Sequence, residues 1–256
     1  MPVRGPRPGS LALGSLHRRT LPPPGTQGSV RRARRSAPHG WVNIDTLALV
    51  SVSGACSRSG KTALAVTLLR ALGVGRAAAV KFTTTDDVFE RCPRGTPCVV
   101  CDIDVPFRIV QDAATLGQAG TDTDRLGRAG AHRVVWAIAK AAAVRPAWEA
   151  VGRMVADAEV TVVEGSSIVP VARPDLRLFV THPFLSPERW KATSGALIAE
   201  SDLVVVNRPA ADPRPPSADV LTALAAHRTG PPLVADVTRP LAEWAPGLCG
   251  RLEKLR

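Results

Sequence analysis

The sequence lacks tyrosine altogether, and aromatic residues make up only 4% of its 256 residues. Its interior must therefore be filled by small aliphatic side chains, mainly valine, leucine and alanine, a composition common in proteins with a buried parallel sheet. No apolar run approaches the roughly 18–20 residues that a membrane-spanning helix needs, so we expect a soluble cytoplasmic protein without a membrane partner. The five histidines are scattered without zinc-hydrolase spacing, and no Ser-His-Asp arrangement is evident.

Acidic residues and lysine are absent from residues 1–40, which contain eight arginines, seven prolines and six glycines. No hydrophobic period runs through this segment, and we predict that it is a disordered arm. Three interpretations of this arm stay open. It is a solvated extension without a specific role, or an upstream stretch wrongly joined to the true start. Alternatively, it makes an electrostatic contact with nucleic acid or acidic lipid, or it is a targeting peptide. Without the eight arginines the formal net charge falls from +11 to +3. For the folded domain, residues 41–256, we therefore expect no nucleic-acid partner.

Short apolar runs alternate with helical patterns from residue 46 onward. Several runs are apolar at successive positions, which is typical of strands buried on both faces. The predicted strands are residues 47–53, 77–83, 134–138, 160–163, 176–180, 203–206 and 233–237, and the predicted helices are residues 61–72, 123–130, 144–157, 189–200 and 214–227. This order predicts a three-layer α/β fold, a mostly parallel sheet covered by helices on both faces. Residues 84–120 are weakly periodic and rich in Asp, Cys and Pro, which predicts one long loop.

A phosphate-binding loop is predicted where the first strand runs into the first helix. The sequence there matches the pattern G-x-x-x-x-G-K-[ST], with Ala55 in place of the first glycine and Gly54 just before it. Backbone N–H groups and the helix N-terminus form an anion site, Lys61 supplies a charge for the β- and γ-phosphates, and Thr62 offers a hydroxyl to Mg²⁺. The nucleotide-binding residues predicted from the motif are Ala55, Cys56, Ser57, Arg58, Ser59, Gly60, Lys61 and Thr62. The pattern indicates GTP or ATP with Mg²⁺, and a chance match is the alternative.

Two residues of this loop raise separate questions. Cys56 stands where one subclass of P-loop dimers places a second lysine, so that arrangement is absent. Arg58 either contacts a phosphate bound to the same subunit or to a neighbouring subunit, or is simply an exposed side chain.

Acidic residues for a metal site follow predicted strands. Glu164 ends the buried run at 160–163 and should emerge beside the phosphate loop, unless it caps the next helix. Asp86 follows the second strand as a water-mediated Mg²⁺ partner, and Lys81 ends that strand at the same edge. Asp122 precedes the helix predicted at 123–130, where an N-cap role is the alternative.

Four segments occur in an order that resembles a known family. They are residues 57–69 of the loop and helix, Val-Lys-Phe-Thr-Thr at 80–84, Gly-Thr-Asp-Thr-Asp-Arg at 120–125 with Ala-Gly-Ala at 129–131, and Val-Val-Glu-Gly at 162–165. Over roughly residues 46–180 the chain resembles the molybdopterin-guanine dinucleotide biosynthesis protein B family, and more distantly dethiobiotin synthetase and cobyric-acid-synthase-like P-loop proteins. It departs from the family in having Thr121 where lysine is usual and no histidine-rich stretch after the second strand.

The resemblance implies a slow NTPase that serves molybdenum-cofactor biosynthesis with a partner enzyme, as a homodimer. It places Asp122, Arg125 and Glu164 at the border of the nucleotide and the metal. Together with Lys61 of the phosphate loop, Glu164 and Asp122 are the predicted catalytic residues, and Arg125 is predicted to contact the nucleotide. Similarity to dethiobiotin synthetase makes Asn207, after a late strand, the candidate for contacting the base, with a turn residue as the alternative. A dethiobiotin-synthetase-like ligase and a metallochaperone-type NTPase switch are the competing functions.

Three of the five cysteines fall within ten residues, as Cys92, Cys98 and Cys101. Without an export signal a disulfide framework is not expected. The Cys98–Cys101 spacing suits a metal knuckle, and thiolates would bind Zn²⁺ or an iron–sulfur cluster. A fourth ligand would come from Cys56, Asp102, His132 or a second subunit, and three reduced thiols in a loop are the alternative.

Overall fold

An eight-stranded sheet runs through the computed structural model, which describes residues 47–85 and 103–256. The strands are β1 (Leu49–Gly54), β2 (Ala77–Thr84), β3 (Phe107–Val110), β4 (Arg133–Ala139), β5 (Val160–Glu164), β6 (Leu176–Thr181), β7 (Leu203–Asn207) and β8 (Leu233–Ala235). They lie in the order β3-β4-β2-β5-β1-β6-β7-β8, and every neighbouring pair is parallel except β3 with β4. The predicted mostly parallel α/β sheet is confirmed.

Helices cover both faces of this sheet. They are α1 (Lys61–Leu72), α2 (Ala113–Leu116), α3 (Asp122–Arg128), α4 (Val144–Met154), α5 (Ser194–Ala199), α6 (Ala218–Ala225), α7 (Leu241–Trp244) and α8 (Pro246–Glu253). Val50 and Val52 of β1 pack with α1, α3, α7 and α8 on one face, while Leu49 packs with α4 on the other. The alternation of side chains along each strand thus separates two apolar layers, which gives the three-layer arrangement.

β1 occupies the centre of the sheet and is buried along all six of its residues. Its neighbours are β5 on one side and β6 on the other. Because all three strands are parallel, their carboxyl ends meet at one edge, which is where open α/β sheets bind ligands. The turn from β1 into α1 lies at this edge.

Helix α1 spans the range predicted from the sequence, since Leu64, Leu68 and Leu72 place an apolar stripe on one face and Gly73 ends it. The hydroxyl of Thr67 donates a hydrogen bond of 2.6 Å to the carbonyl oxygen of Val237. The interior of the helix is thereby fixed to the chain that follows β8.

The prediction of one long loop over residues 84–120 is wrong for the second half of that range. β3 pairs antiparallel with β4 at the edge of the sheet, and α2 begins with Asp112 as its N-cap. Both elements are four residues long, too short to show a period. Helices α7 and α8 were also not predicted. None of the helices in the described ranges is long and apolar enough to cross a membrane.

Two stretches, residues 1–46 and 86–102, lie outside the described residues. The predicted disordered arm, the magnesium partner Asp86 and the cluster of Cys92, Cys98 and Cys101 all fall within them. These interpretations stay predictions.

Candidate phosphate-binding site

The loop between β1 and α1 turns through two residues with positive φ. Gly60 has φ of 105° and Arg58 has φ of 62°. Glycine adopts this region freely, whereas for another residue the left-handed conformation costs about 1–2 kcal/mol. Such backbone strain is typical of ligand sites, where the surrounding structure holds it in place.

Gly54, rather than the residue at the motif's first position, provides the close approach in this loop. A Cβ on Gly54 would lie 2.5 Å from Ser59 Oγ and 2.8 Å from the carbonyl oxygen of Val180. Ala55 instead has room for its methyl group and is fully buried in an apolar cluster with Phe179. Its N–H donates to the carbonyl of Val180 at 3.2 Å. The variant motif therefore keeps a glycine where the backbone is crowded.

The N-terminus of α1 is open for an anion. Its N-cap is Gly60, which has no side chain to accept from the first-turn N–H groups, and the first turn holds no acidic residue. Lys61 folds back over the loop, where its Nζ donates to the carbonyl oxygen of Cys56 at 2.6 Å. Burial lowers the pKa of Lys61, and nearby Lys81 lowers it further, whereas Glu164 raises it. An added anion would offset the buried charge and complete the site.

A cluster of charged side chains lies beside the loop on the β5 side. Lys81 Nζ donates to Glu164 Oε1 at 2.6 Å and to Asp122 Oδ2 at 2.7 Å. Lys81 and Glu164 face each other because they are register partners in the pairing of β2 with β5. Asp122 comes from the first residue of α3, and the hydroxyl of Thr62 donates to it. The structure thus brings together Thr62, Glu164 and Asp122, all predicted from the sequence, around a lysine that was not among the predicted site residues.

The pKa shifts in this cluster follow from its pairing. Burial opposes the charge of Lys81, but Glu164 and Asp122 outweigh it and raise the lysine's pKa. Burial raises the pKa of Asp122, but Lys81, Thr62 and Arg125 together hold it below its usual value. Both groups are therefore charged at neutral pH. Arg125, predicted to contact nucleotide, is exposed on α3 and acts here through its charge.

The donor set fits a hard divalent cation such as Mg²⁺. Glu164 is only 2% exposed, and its Oε2 has no hydrogen-bond partner within the described ranges. Carboxylate and hydroxyl oxygens are the ligands that Mg²⁺ prefers, and it usually takes only one or two carboxylates and completes its shell with water and phosphate. Within residues 47–85 and 103–256 there is no group of three or more His, Cys, Asp or Glu that could hold a metal ion.

Asn207 lies against the phosphate loop. A Cβ on Gly60 would come within 2.3 Å of its Nδ2, and its Oδ1 accepts from the N–H of Val237 at 3.3 Å. The amide therefore bridges the loop to the chain after β8, which α1 also holds through Thr67. Glycine at position 60 is required twice, by its positive φ and by this contact. The proposed contact of Asn207 with a base stays a prediction.

No protein-family model matches the chain, and no curated protein matches it. The resemblance to the molybdopterin-guanine dinucleotide biosynthesis protein B family therefore stays a prediction.

Proposed function

We propose that the protein binds a nucleoside triphosphate, GTP or ATP, with Mg²⁺ and hydrolyses it slowly. The observation that carries the proposal is the turn over residues 54–61. It joins a central buried strand to an uncapped helix N-terminus and holds a partly buried lysine over its backbone. Backbone N–H groups and a helix dipole aimed at one point stabilise an anion, and a lysine beside them favours a polyphosphate.

The neighbouring residues support specific roles toward that ligand. Lys61 would leave the carbonyl of Cys56 and bind the β- and γ-phosphates. Thr62 and Glu164 would hold Mg²⁺, with Asp122 ordering the Thr62 hydroxyl. When bound, Mg²⁺ supplies charge neutralisation to the transferring phosphoryl group.

We expect slow hydrolysis of the nucleotide because the carboxylates of Glu164 and Asp122 are both paired with Lys81. Lys81 donates to both carboxylates, and the lowered pKa of Asp122 makes it a weak general base. The protein's own contribution is then mainly positioning and charge stabilisation.

The sequence resemblance supports a place for this activity in molybdenum-cofactor biosynthesis, where a homodimer would act with a partner enzyme. An accessory protein of that kind has low basal turnover that rises with its partner. A dethiobiotin-synthetase-like ligase would instead require a small carboxylic acid for turnover, so the two functions differ in what stimulates phosphate release.

A thermal-shift panel tests nucleotide binding and base preference together. The full-length protein, kept anaerobic, is heated with GTP, ATP, GDP or ADP, each with and without Mg²⁺. At a hundredfold excess over the dissociation constant, a bound triphosphate with Mg²⁺ should raise the midpoint by about 5–10 °C. One base should give the larger shift. Equal midpoints with and without every nucleotide at millimolar concentration would remove the proposal.

A further inference from the structure

Asp236, the first residue after β8, has its carboxylate fixed at the carboxyl edge of the sheet. Its Oδ2 accepts from the backbone N–H of Ala210 at 2.8 Å, and its Oδ1 accepts from the N–H of Thr238 at 3.0 Å and from the hydroxyl of Thr238 at 2.6 Å. Burial raises the pKa of Asp236, but the hydrogen bonds from Thr238 and Ala210 and the charge of Arg239 together hold it below its usual value. The side chain is therefore an ionised acceptor held in one orientation.

The chain around Asp236 is bonded to the phosphate loop and its helix. Val237, the next residue, donates its N–H to Asn207 Oδ1 at 3.3 Å, and its carbonyl oxygen accepts from the hydroxyl of Thr67 in α1 at 2.6 Å. The amide of Asn207 in turn lies against Gly60. Because β7 and β8 are parallel neighbours, Asn207 and Asp236 emerge beside each other at the ends of these strands. The carboxylate thus belongs to the same hydrogen-bonded framework as the loop.

The position of the Mg²⁺ residues determines the direction in which a nucleotide would lie. Glu164 ends β5, and Asp122 is bonded to Lys81 of β2, so both acids lie on the β5 side of β1. Mg²⁺ bridges the β- and γ-phosphates. The nucleoside end of the ligand then extends to the other side of β1, over the carboxyl ends of β6, β7 and β8. A base lying there would meet the carboxylate of Asp236.

A carboxylate distinguishes the two purine bases by the hydrogens that they present. The Watson–Crick edge of guanine carries two adjacent donors, N1–H and the N2 amine, whereas that of adenine carries the N6 amine beside the N1 lone pair. An ionised carboxylate only accepts, so it matches both donors of guanine and repels the lone pair of adenine. Oδ2 of Asp236 keeps an acceptor position beside Ala210, and the Thr238 hydroxyl can rotate to release one on Oδ1.

We propose that Asp236 binds the base of the nucleotide and makes the site specific for guanine. The inference rests on the proposed function, since it requires a triphosphate in the loop. Each carboxylate oxygen accepts from one of the two guanine donors, and the bonds of Val237 to Asn207 and Thr67 hold the carboxylate in register with the loop. The ligand is then GTP rather than ATP.

Dissociation constants of GTP, ITP, XTP and ATP with Mg²⁺, measured on full-length wild type and on Asp236→Asn, test the proposal. ITP lacks the N2 amine of guanine, and XTP has a carbonyl oxygen in its place. Asparagine keeps one oxygen acceptor but presents an N–H donor instead of the second oxygen. The matched control is Asp112→Asn. Its carboxylate also accepts a backbone N–H, from Thr115, but at the N-cap of α2, after the strand at the opposite edge of the sheet.

Wild type should bind GTP about tenfold or more tightly than ITP or ATP, because each of these loses a hydrogen bond to a charged acceptor. In Asp236→Asn, GTP should bind about tenfold or more weakly, and XTP about tenfold or more tightly, since the amide donates to the xanthine oxygen. Asp112→Asn should stay within about twofold of wild type for every nucleotide. Far-UV circular dichroism checks folding. If Asp236→Asn unfolds, Asp236→Glu replaces it; this variant displaces the carboxylate and should reduce the preference for GTP over ITP.

Equal constants for GTP, ITP and ATP in wild type, or a preference that the Asp236 variant leaves unchanged, would overturn the role of Asp236. Either result would leave the phosphate-binding function standing. Absence of binding by every nucleotide and by inorganic tripolyphosphate would instead overturn the proposed function, and guanine recognition with it. The two failures are therefore distinguishable.

Discussion

Replacing Lys61 with alanine should weaken binding of GTP or ATP by about a hundredfold or more, because the loop then loses the partly buried cation proposed to bind the phosphates. Among the described residues the lysine donates one hydrogen bond, to the carbonyl of Cys56, and burial already lowers its pKa. Its removal should therefore leave the fold intact. Equilibrium dialysis with labelled nucleotide measures the loss, and far-UV circular dichroism checks the fold.

Lys254→Ala is the control for this change, since Lys254 is an exposed lysine beyond the last helix. Its nucleotide affinity should equal that of wild type. If Lys61→Ala and Lys254→Ala bind nucleotide equally well, Lys61 does not serve the phosphates.

Replacing Lys81 with methionine should destabilise the protein by about 3–5 kcal/mol, the usual cost of removing one partner of a buried ion pair. The change leaves the carboxylate of Glu164, 2% exposed, without its cation, and its second oxygen has no partner among the described residues to compensate. Methionine keeps the length and the apolar packing of the lysine stem. Urea denaturation followed by circular dichroism gives the free energy of unfolding.

A double-mutant comparison separates charge from packing. Lys81→Met/Glu164→Gln removes both charges, so it should recover much of the stability that Lys81→Met loses, whereas Glu164→Gln alone leaves Lys81 paired with Asp122. A loss below about 1 kcal/mol in Lys81→Met, or no recovery in the double variant, would show that the pair does not hold this edge of the sheet.

The sequence predicted the parts of the site that one segment determines. Helix α1 was predicted over its observed range, and the loop before it follows from strand, glycine, lysine and helix in series. Glu164 was predicted at the end of a buried strand because a run of three valines and one threonine leads directly into it. In each case the signal is local and strong.

The pairing inside the site depends on contacts that no local pattern encodes. Lys81 could be placed at the correct edge, but its bonds to Glu164 and Asp122 require the register of β2 with β5 and the position of α3. The contact of Asn207 with Gly60 similarly requires β6 and β7 to follow β1 in the sheet. β3, a four-residue antiparallel edge strand, is held by pairing with β4 rather than by its own pattern.

Residues 54–62 are proposed to hold a polyphosphate, and the assignment of every other site residue depends on this. Equilibrium dialysis of wild type against labelled GTP or ATP with Mg²⁺, with inorganic tripolyphosphate as competitor, tests it most directly. We expect saturable binding of one nucleotide per chain, displaced by tripolyphosphate because the loop recognises phosphates rather than the base. Absence of saturable binding up to millimolar nucleotide, or binding that tripolyphosphate leaves unchanged, would contradict it.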